Sequence, residues 1–249
     1  NMGEEYAADT TIYRINYIAE LYSVNPLNGN TTLLTTLSGL SGGIPVGIAY
    51  DWDNDLMYIA STDGSTTNYL YTVNLDTYAL TLIGSDNALI SGMDFANDGN
   101  LYATDLSDNL VQISTADGSV TTVGPIGHNA SIYHDLSFDR TNNLLLTIDQ
   151  TPDGTKYGYY DLSTGAFTEI ASLGGTWDDI TFTHYDKPSA ITFSVTDGSN
   201  PLSGATVSIF GKELTTDGSG EATTNLLDGD YNYTVNLAGY DQATGSVNV

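Results

Sequence analysis

A chain of 249 residues with 40% hydrophobic content holds enough apolar material for one large all-β domain or two smaller ones. Its 31 acidic residues face only Arg14, Arg140, Lys156, Lys187 and Lys212, and the net charge of −26 excludes nucleic acid and anionic membrane surfaces while favouring cations as small partners. The absence of cysteine excludes disulfide staples and thiolate metal sites, and no apolar run approaches the ~18 residues of a membrane-spanning helix.

Residues 1–10, NMGEEYAADT, are polar, show no signal-peptide layout and read as loose, although EYAADT resembles LYATDL at Leu101. From Thr11 the stretch TIYRINYIAELYSV alternates as half-buried strands do, and the turn NPLNGN leads into the strand TTLLTTL at Thr31. The chain thus begins inside a sheet unit whose first strand is missing. Four similar openings follow at Gly47, Gly92, Asp135 and Asp179, spaced by 45, 43 and 44 residues, the period of a four-stranded propeller blade. Tyr58, Tyr102 and Leu146, each 44 apart, hold one position in the second strand of the repeat. This pattern predicts a small β-propeller over residues 1–187, with four blades as the first reading and five as the alternative. WDDITFT at Trp177 is expected to supply the missing strand, so that 177–183 pairs with 11–37 and closes the ring.

At Lys187 and Pro188 the rhythm stops. Residues 188–249 carry five turn signals, DGSNP, FGKE, DGSG, LDGD and LAGY, between short alternating strands. They predict a β-sandwich with Val195, Val207, Ile209, Ala222, Leu226, Tyr233, Val235 and Val247 as core.

Two family resemblances sit on these segments. LYTVNLDTYALTLIG, NLYATDLSDNLVQISTADGSVTTVG and WDDITF resemble propeller repeats of secreted and surface-attached bacterial proteins. The resemblance implies repeats that accompany proteases or adhesive modules without being the catalyst. NPLSGATVSI, TTDGSGEAT and DGDYNYTVNLAGY are similar to the carboxypeptidase regulatory-like domain, a transthyretin-like sandwich of the immunoglobulin-like kind. That resemblance implies an exported protein, of the type IX secretion class in related chains.

Candidate chemistry is sparse. His128, His134 and His184 are the only histidines, no GxSxG nucleophile motif accompanies them, and a rim position satisfied by hydrogen bonds explains His134. Asp135 and Asp179 are equivalent by the repeat, and either carboxylate-pair catalysis or strand capping suits them. Cation binding is the better use of these acids, since Ca²⁺ takes several oxygen ligands. Asp135 and Asp179 are the first candidate ligands, Asp94 and Asp178 the next, and the turn DWDND offers Asp51, Asp53 and Asp55. Most of the 18 tyrosines recur as strand-packing residues, whereas Trp52 stands in a turn and is the aromatic expected to contact a ligand.

The reading that follows is a non-enzymatic extracellular or cell-surface protein, used in adhesion or as a subunit of an assembly or filament. Its expected partners are protein, through self-assembly or a cell-surface partner, or glycan, with structural Ca²⁺ as the one expected cofactor and no insertion into membranes. The alternatives are a secreted enzyme or enzyme accessory, such as a propeller lyase, a glycosidase or a protease-associated module, and a carbohydrate-binding module.

Overall fold

The structure is a computed structural model; it describes residues 3–7, 11–25, 28–129, 134–151, 154–175, 177, 180–181, 189–226 and 229–249. Among the described residues, 22 strands form six antiparallel sheets, five four-stranded and one two-stranded. The chain divides into two compact units, Asn1–Ala96 with Asn100–His184, and Asn97–Gly99 with Tyr185–Val249. No helix among the described residues is long and apolar enough to cross a membrane.

The first unit is four up-and-down meanders in chain order. They are β1 (Glu4–Tyr6), β2 (Ile12–Ile15), β3 (Glu20–Val24) and β4 (Thr31–Thr36); β5 (Ile44–Asp51), β6 (Leu56–Thr62), β7 (Asn68–Val73) and β8 (Leu80–Asp86); β9 (Ile90–Phe95), β10 (Leu101–Asp105), β11 (Asn109–Ile113) and β12 (Val120–Pro125); and β13 (His134–Asp139), β14 (Leu144–Thr151), β15 (Gly154–Tyr160) and β16 (Phe167–Leu173). Consecutive strands pair because Asp-rich hairpins turn the chain. Asp51 accepts the Asp53 and Asn54 amides at 3.0 and 3.1 Å, and Asp139, its repeat partner, accepts those of Thr141 and Asn142 at 3.0 Å. The first strand of each meander is deeply buried and the fourth lies near solvent, which gives a propeller-like all-β arrangement.

One expectation is corrected at the amino terminus. The first meander has its own first strand, β1, with Glu5 opposite Tyr13, where residues 1–10 read as loose and that strand as missing. Trp177, Ile180 and Thr181 lie in no strand, and the rest of that segment is outside the described residues. Gly3–Ala7 (GEEYA) stands where Gly92–Ala96 (GMDFA) stands in the third meander, so the likeness of EYAADT to LYATDL matched it to the wrong strand of the repeat. The acids at 4 and 5 made an inner strand look like a solvated tail.

The inner strands lie side by side in the order β1, β5, β9, β13. At Gly92, where φ is +60°, a Cβ would stand 3.1 Å from the Asp135 Cα, so the third and fourth inner strands approach closer than any side chain permits. Apolar clusters fill the spaces between meanders, as with Met93, Phe95 and Leu101 against Ala49, Tyr58 and Leu70.

In the second unit β17 (Ser189–Ser194) pairs with β20 (Glu221–Leu226). The four-stranded sheet runs β19 (Lys212–Thr215), β18 (Thr206–Ile209), β21 (Asp230–Asn236), β22 (Ala243–Asn248). Val207, Ile209, Ala222 and Leu226 are buried with Phe193, while Val195, Tyr233, Val235 and Val247 are only half-buried.

Candidate functional site

Where the inner strands end, ionisable side chains converge in a dry interior. Glu5 and Asp94 hold the same repeat position on the first and third meanders, with 4% of each exposed. Asp94 accepts the Phe95 amide at 2.6 Å and the Phe138 amide at 2.5 Å, tying β9 to β13. Asp135 accepts the Leu136 amide at 3.0 Å and the Glu4 amide at 3.2 Å, tying β13 to β1. Both carboxylates thus satisfy strand-edge N–H groups that water cannot reach.

Burial, reinforced by the charges of Asp94 and Asp135 and opposed by Arg140, pushes the Glu5 carboxyl well above its ordinary range. Burial also raises Asp94, to about 6, against the pull of Arg140 and two amides. The two amide bonds favour the ionised form of Asp94, whereas Glu5 Oε2 is buried and without a partner, so of the two carboxyls Glu5 is the one more disposed to hold a proton. Arg140 supplies the cation. Its guanidinium reaches the Phe95 carbonyl at 3.4 Å, and its carbon stands 5.6 Å from the centroid of Trp52.

Opposite this pole, where the inner strands begin, a second group gathers between the third and fourth meanders. His128 Nε2 lies 2.8 Å from Asp149 Oδ2, and Asp149 is fully buried. The imidazole stacks on Tyr160 with centroids 6.5 Å apart and meets the edge of Phe167 at 4.7 Å. Its Nδ1 is buried and has no partner, and burial and then the Asp149 charge push up the pKa of the Tyr160 hydroxyl against the pull of Thr147. His134 sits opposite Asp149 on the adjoining strand, and its Nε2 hydrogen-bonds Thr104 Oγ1, which donates to the Ser91 carbonyl at 2.9 Å. An imidazole oriented by a buried carboxylate through one nitrogen, with the other unpaired, is one half of what a general base needs; the other half is access to that nitrogen, which is buried here.

The residues singled out from sequence fall as follows. Asp94 and Asp135 do reach the inner strands, but their oxygens are engaged by amides. Asp178, Asp179 and His184 lie outside the described residues. The DWDND carboxylates do not converge: Asp51 holds the turn, Asp53 is exposed, and Asp55, at φ +58°, accepts the Tyr50 hydroxyl. Among the described residues no group of three or more His, Asp or Glu is arranged to hold a metal ion. Trp52, expected to contact a ligand, is 9% exposed and packs against Tyr6 and Tyr50 at 6.0 and 5.2 Å beneath Arg140. Sequence reasoning missed Glu5, His128 and Asp149 as site residues. The available signal was positional, because Asp105 and Asp149 are repeat equivalents, yet Asp105 caps its own hairpin through the Ser107 and Asn109 amides whereas Asp149 turns to His128.

No protein-family model matches this chain, and no curated protein sequence matches it. Its fold is similar to that of chains in solved structures. A chain of a nidogen/laminin complex is 15% identical with a TM-score of 0.54, over 74% of this chain and 69% of that one. The PQQ-bound aldose sugar dehydrogenase of Streptomyces coelicolor is 14% identical with a TM-score of 0.49, over 98% and 92%. The virginiamycin B lyase of Staphylococcus aureus is 10% identical with a TM-score of 0.45, over all of this chain and 84% of that one. Likeness at these identities shows the fold alone. The expectation of a non-enzymatic chain is corrected to this extent: solved chains of similar fold are named as a dehydrogenase and a lyase, so the fold itself is no ground for a non-enzymatic assignment.

Proposed function

We propose that the chain is an extracytoplasmic enzyme of the lyase or hydrolase type, built as a four-bladed propeller followed by a transthyretin-like sandwich. The observation that carries the proposal is His128, anchored to Asp149 at 2.8 Å through Nε2 with Nδ1 left bare. In that role the packing that buries Nδ1 opens to admit the substrate, Nδ1 takes a proton from it or from an attacking water, and Asp149 stabilises the imidazolium that results. The paired-carboxylate mechanism of a glycosidase is the weaker reading, because the two Asp94 oxygens are already taken by the Phe95 and Phe138 amides. The net charge of −26 directs the substrate class toward neutral or cationic molecules and away from polyanions.

The test is turnover of a panel of uncharged activated esters, glycosides and β-elimination substrates, with His128→Ala and Asp149→Asn as controls of verified fold. The proposal expects turnover by the wild-type chain that falls by about 10²–10⁴-fold in His128→Ala. Turnover that survives both substitutions, or none across the panel, goes against it.

A further inference from the structure

The second unit sets two strands against four. The β17–β20 pair covers β19 through β20 and reaches β21 where Phe193 meets Tyr233 at 5.0 Å, edge to face. On β22 every residue is exposed or half-buried, and Val235 on β21 is half-buried although it faces the core. Beside β17 this leaves a groove of about 480 Å³ that follows the chain from Ile191 to Thr196. Ile191 and Phe193 form one wall, and Tyr233, Val235 and Val247 form the floor.

Three features decide what fits there. Among the described residues β17 pairs only with β20, so its other edge offers unpaired backbone groups over six residues, Ser189–Ser194. Beyond that stretch the Thr196–Pro201 bridge and the Leu202 amide, which donates to the Val195 carbonyl at 2.9 Å, close the ladder. A single extended strand beside β17 would rest on β21 and β22, whose residues line the groove beneath it. No charged side chain lines the groove, in a chain whose net charge is −26, so an acidic segment gains no counter-charge and meets the repulsion of the whole molecule.

We infer that the groove is a seat for strand addition by an extended, neutral or basic peptide segment of a partner protein. The segment takes up the free backbone edge of β17 and places its alternate apolar side chains on Tyr233, Val235 and Val247. Backbone pairing supplies affinity without sequence choice, and the apolar floor selects residues two apart.

The experiment uses the full chain and a short peptide of alternating threonine and valine capped by lysine at both ends. It is run beside the same peptide N-methylated along one edge and an acidic counterpart capped by aspartate. Amide exchange and chemical shifts are followed across Ser189–Ser194. The inference expects slowed exchange at the β17 edge with the lysine-capped peptide, at least tenfold weaker binding when one edge of the peptide is methylated or the caps are acidic, and little change when the opposite edge is methylated. Val247→Lys, on the exposed strand, is expected to weaken binding while the melting of the first unit stays unchanged. Binding indifferent to N-methylation would mean unspecific apolar contact and would overturn the inference. So would absence of binding, or concentration-dependent self-association that alone protects the β17 edge.

Discussion

Arg140 and Trp52 hold equivalent positions in the first hairpins of the fourth and second meanders, and they meet with the guanidinium carbon 5.6 Å from the indole centroid. One residue brings the charge and the other the aromatic face. Together with Tyr6 and Tyr50 they seal the end of the inner strands above Glu5 and Asp94.

Removing the cation leaves buried negative charge uncompensated. Arg140→Met is expected to destabilise the chain by about 3–5 kcal/mol in urea unfolding. Trp52→Ala is expected to cost about 3–5 kcal/mol through the cavity it opens. The double variant should show coupling of ~0.5–2 kcal/mol; strictly additive losses would mean that the two side chains act separately.

The raised carboxyls set a pH dependence. A group whose folded pKa lies above its unfolded value contributes stability that is full below the unfolded value and is lost as pH rises through the folded one. For Asp94 that loss centres near pH 6, and for Glu5 it continues above the ordinary carboxylate range. Glu5→Gln removes the buried proton equilibrium while keeping the shape. The variant should melt above the wild type at pH 8 and no higher than it at pH 5; the reverse order would contradict the assignment of the proton to Glu5. Asp94→Asn should destabilise at every pH, because an amide cannot accept both the Phe95 and Phe138 N–H groups.

Outer strands impose their own constraint. A Cβ on Gly84 would stand 1.7 Å from the Asp117 carbonyl oxygen, so the last strand of the second meander is in direct backbone contact with the outer hairpin of the third. Gly84→Ala is expected to cost about 1–3 kcal/mol by forcing the two apart, measured as a drop in Tm. An unchanged Tm would mean that the meanders slide past each other freely.

Salt should stabilise this chain. Arg140 and Lys212 are buried, Arg14 pairs with Glu4 at 3.8 Å and Lys156 with Glu169 at 3.4 Å, so the surface acids have little basic counter-charge. Screening their repulsion should raise Tm steadily as potassium chloride goes from low concentration toward 1 M, where the Debye length is ~3 Å. A flat response would contradict surface repulsion as a stability term.

The repeat spacing made the meanders after Gly47 legible, because each one carries the same turn chemistry at the same interval. The first meander was legible only in part. Its inner strand is three residues long, and Glu4–Glu5 hides the GxDFA-like pattern behind a charge pair that reads as surface. The turn at DWDND shows a second limit of the sequence: alternating carboxylates read as cation ligands, and it took the structure to show that Asp51 also accepts the amides that shape the hairpin. His128 could not be placed from sequence, since its partner Asp149 lies 21 residues later and one strand further on, and only the approach of two meanders brings them together.

The functional account turns on which nitrogen of His128 is bare. Nitrogen-15 NMR of the imidazole at neutral pH, in the wild type and in Asp149→Asn, reads this directly. The account predicts a single tautomer in the wild type, protonated on Nε2 and facing Asp149 with Nδ1 unprotonated, and loss of that preference in Asp149→Asn. A proton on Nδ1, or a tautomer indifferent to Asp149, would contradict His128 as the oriented base.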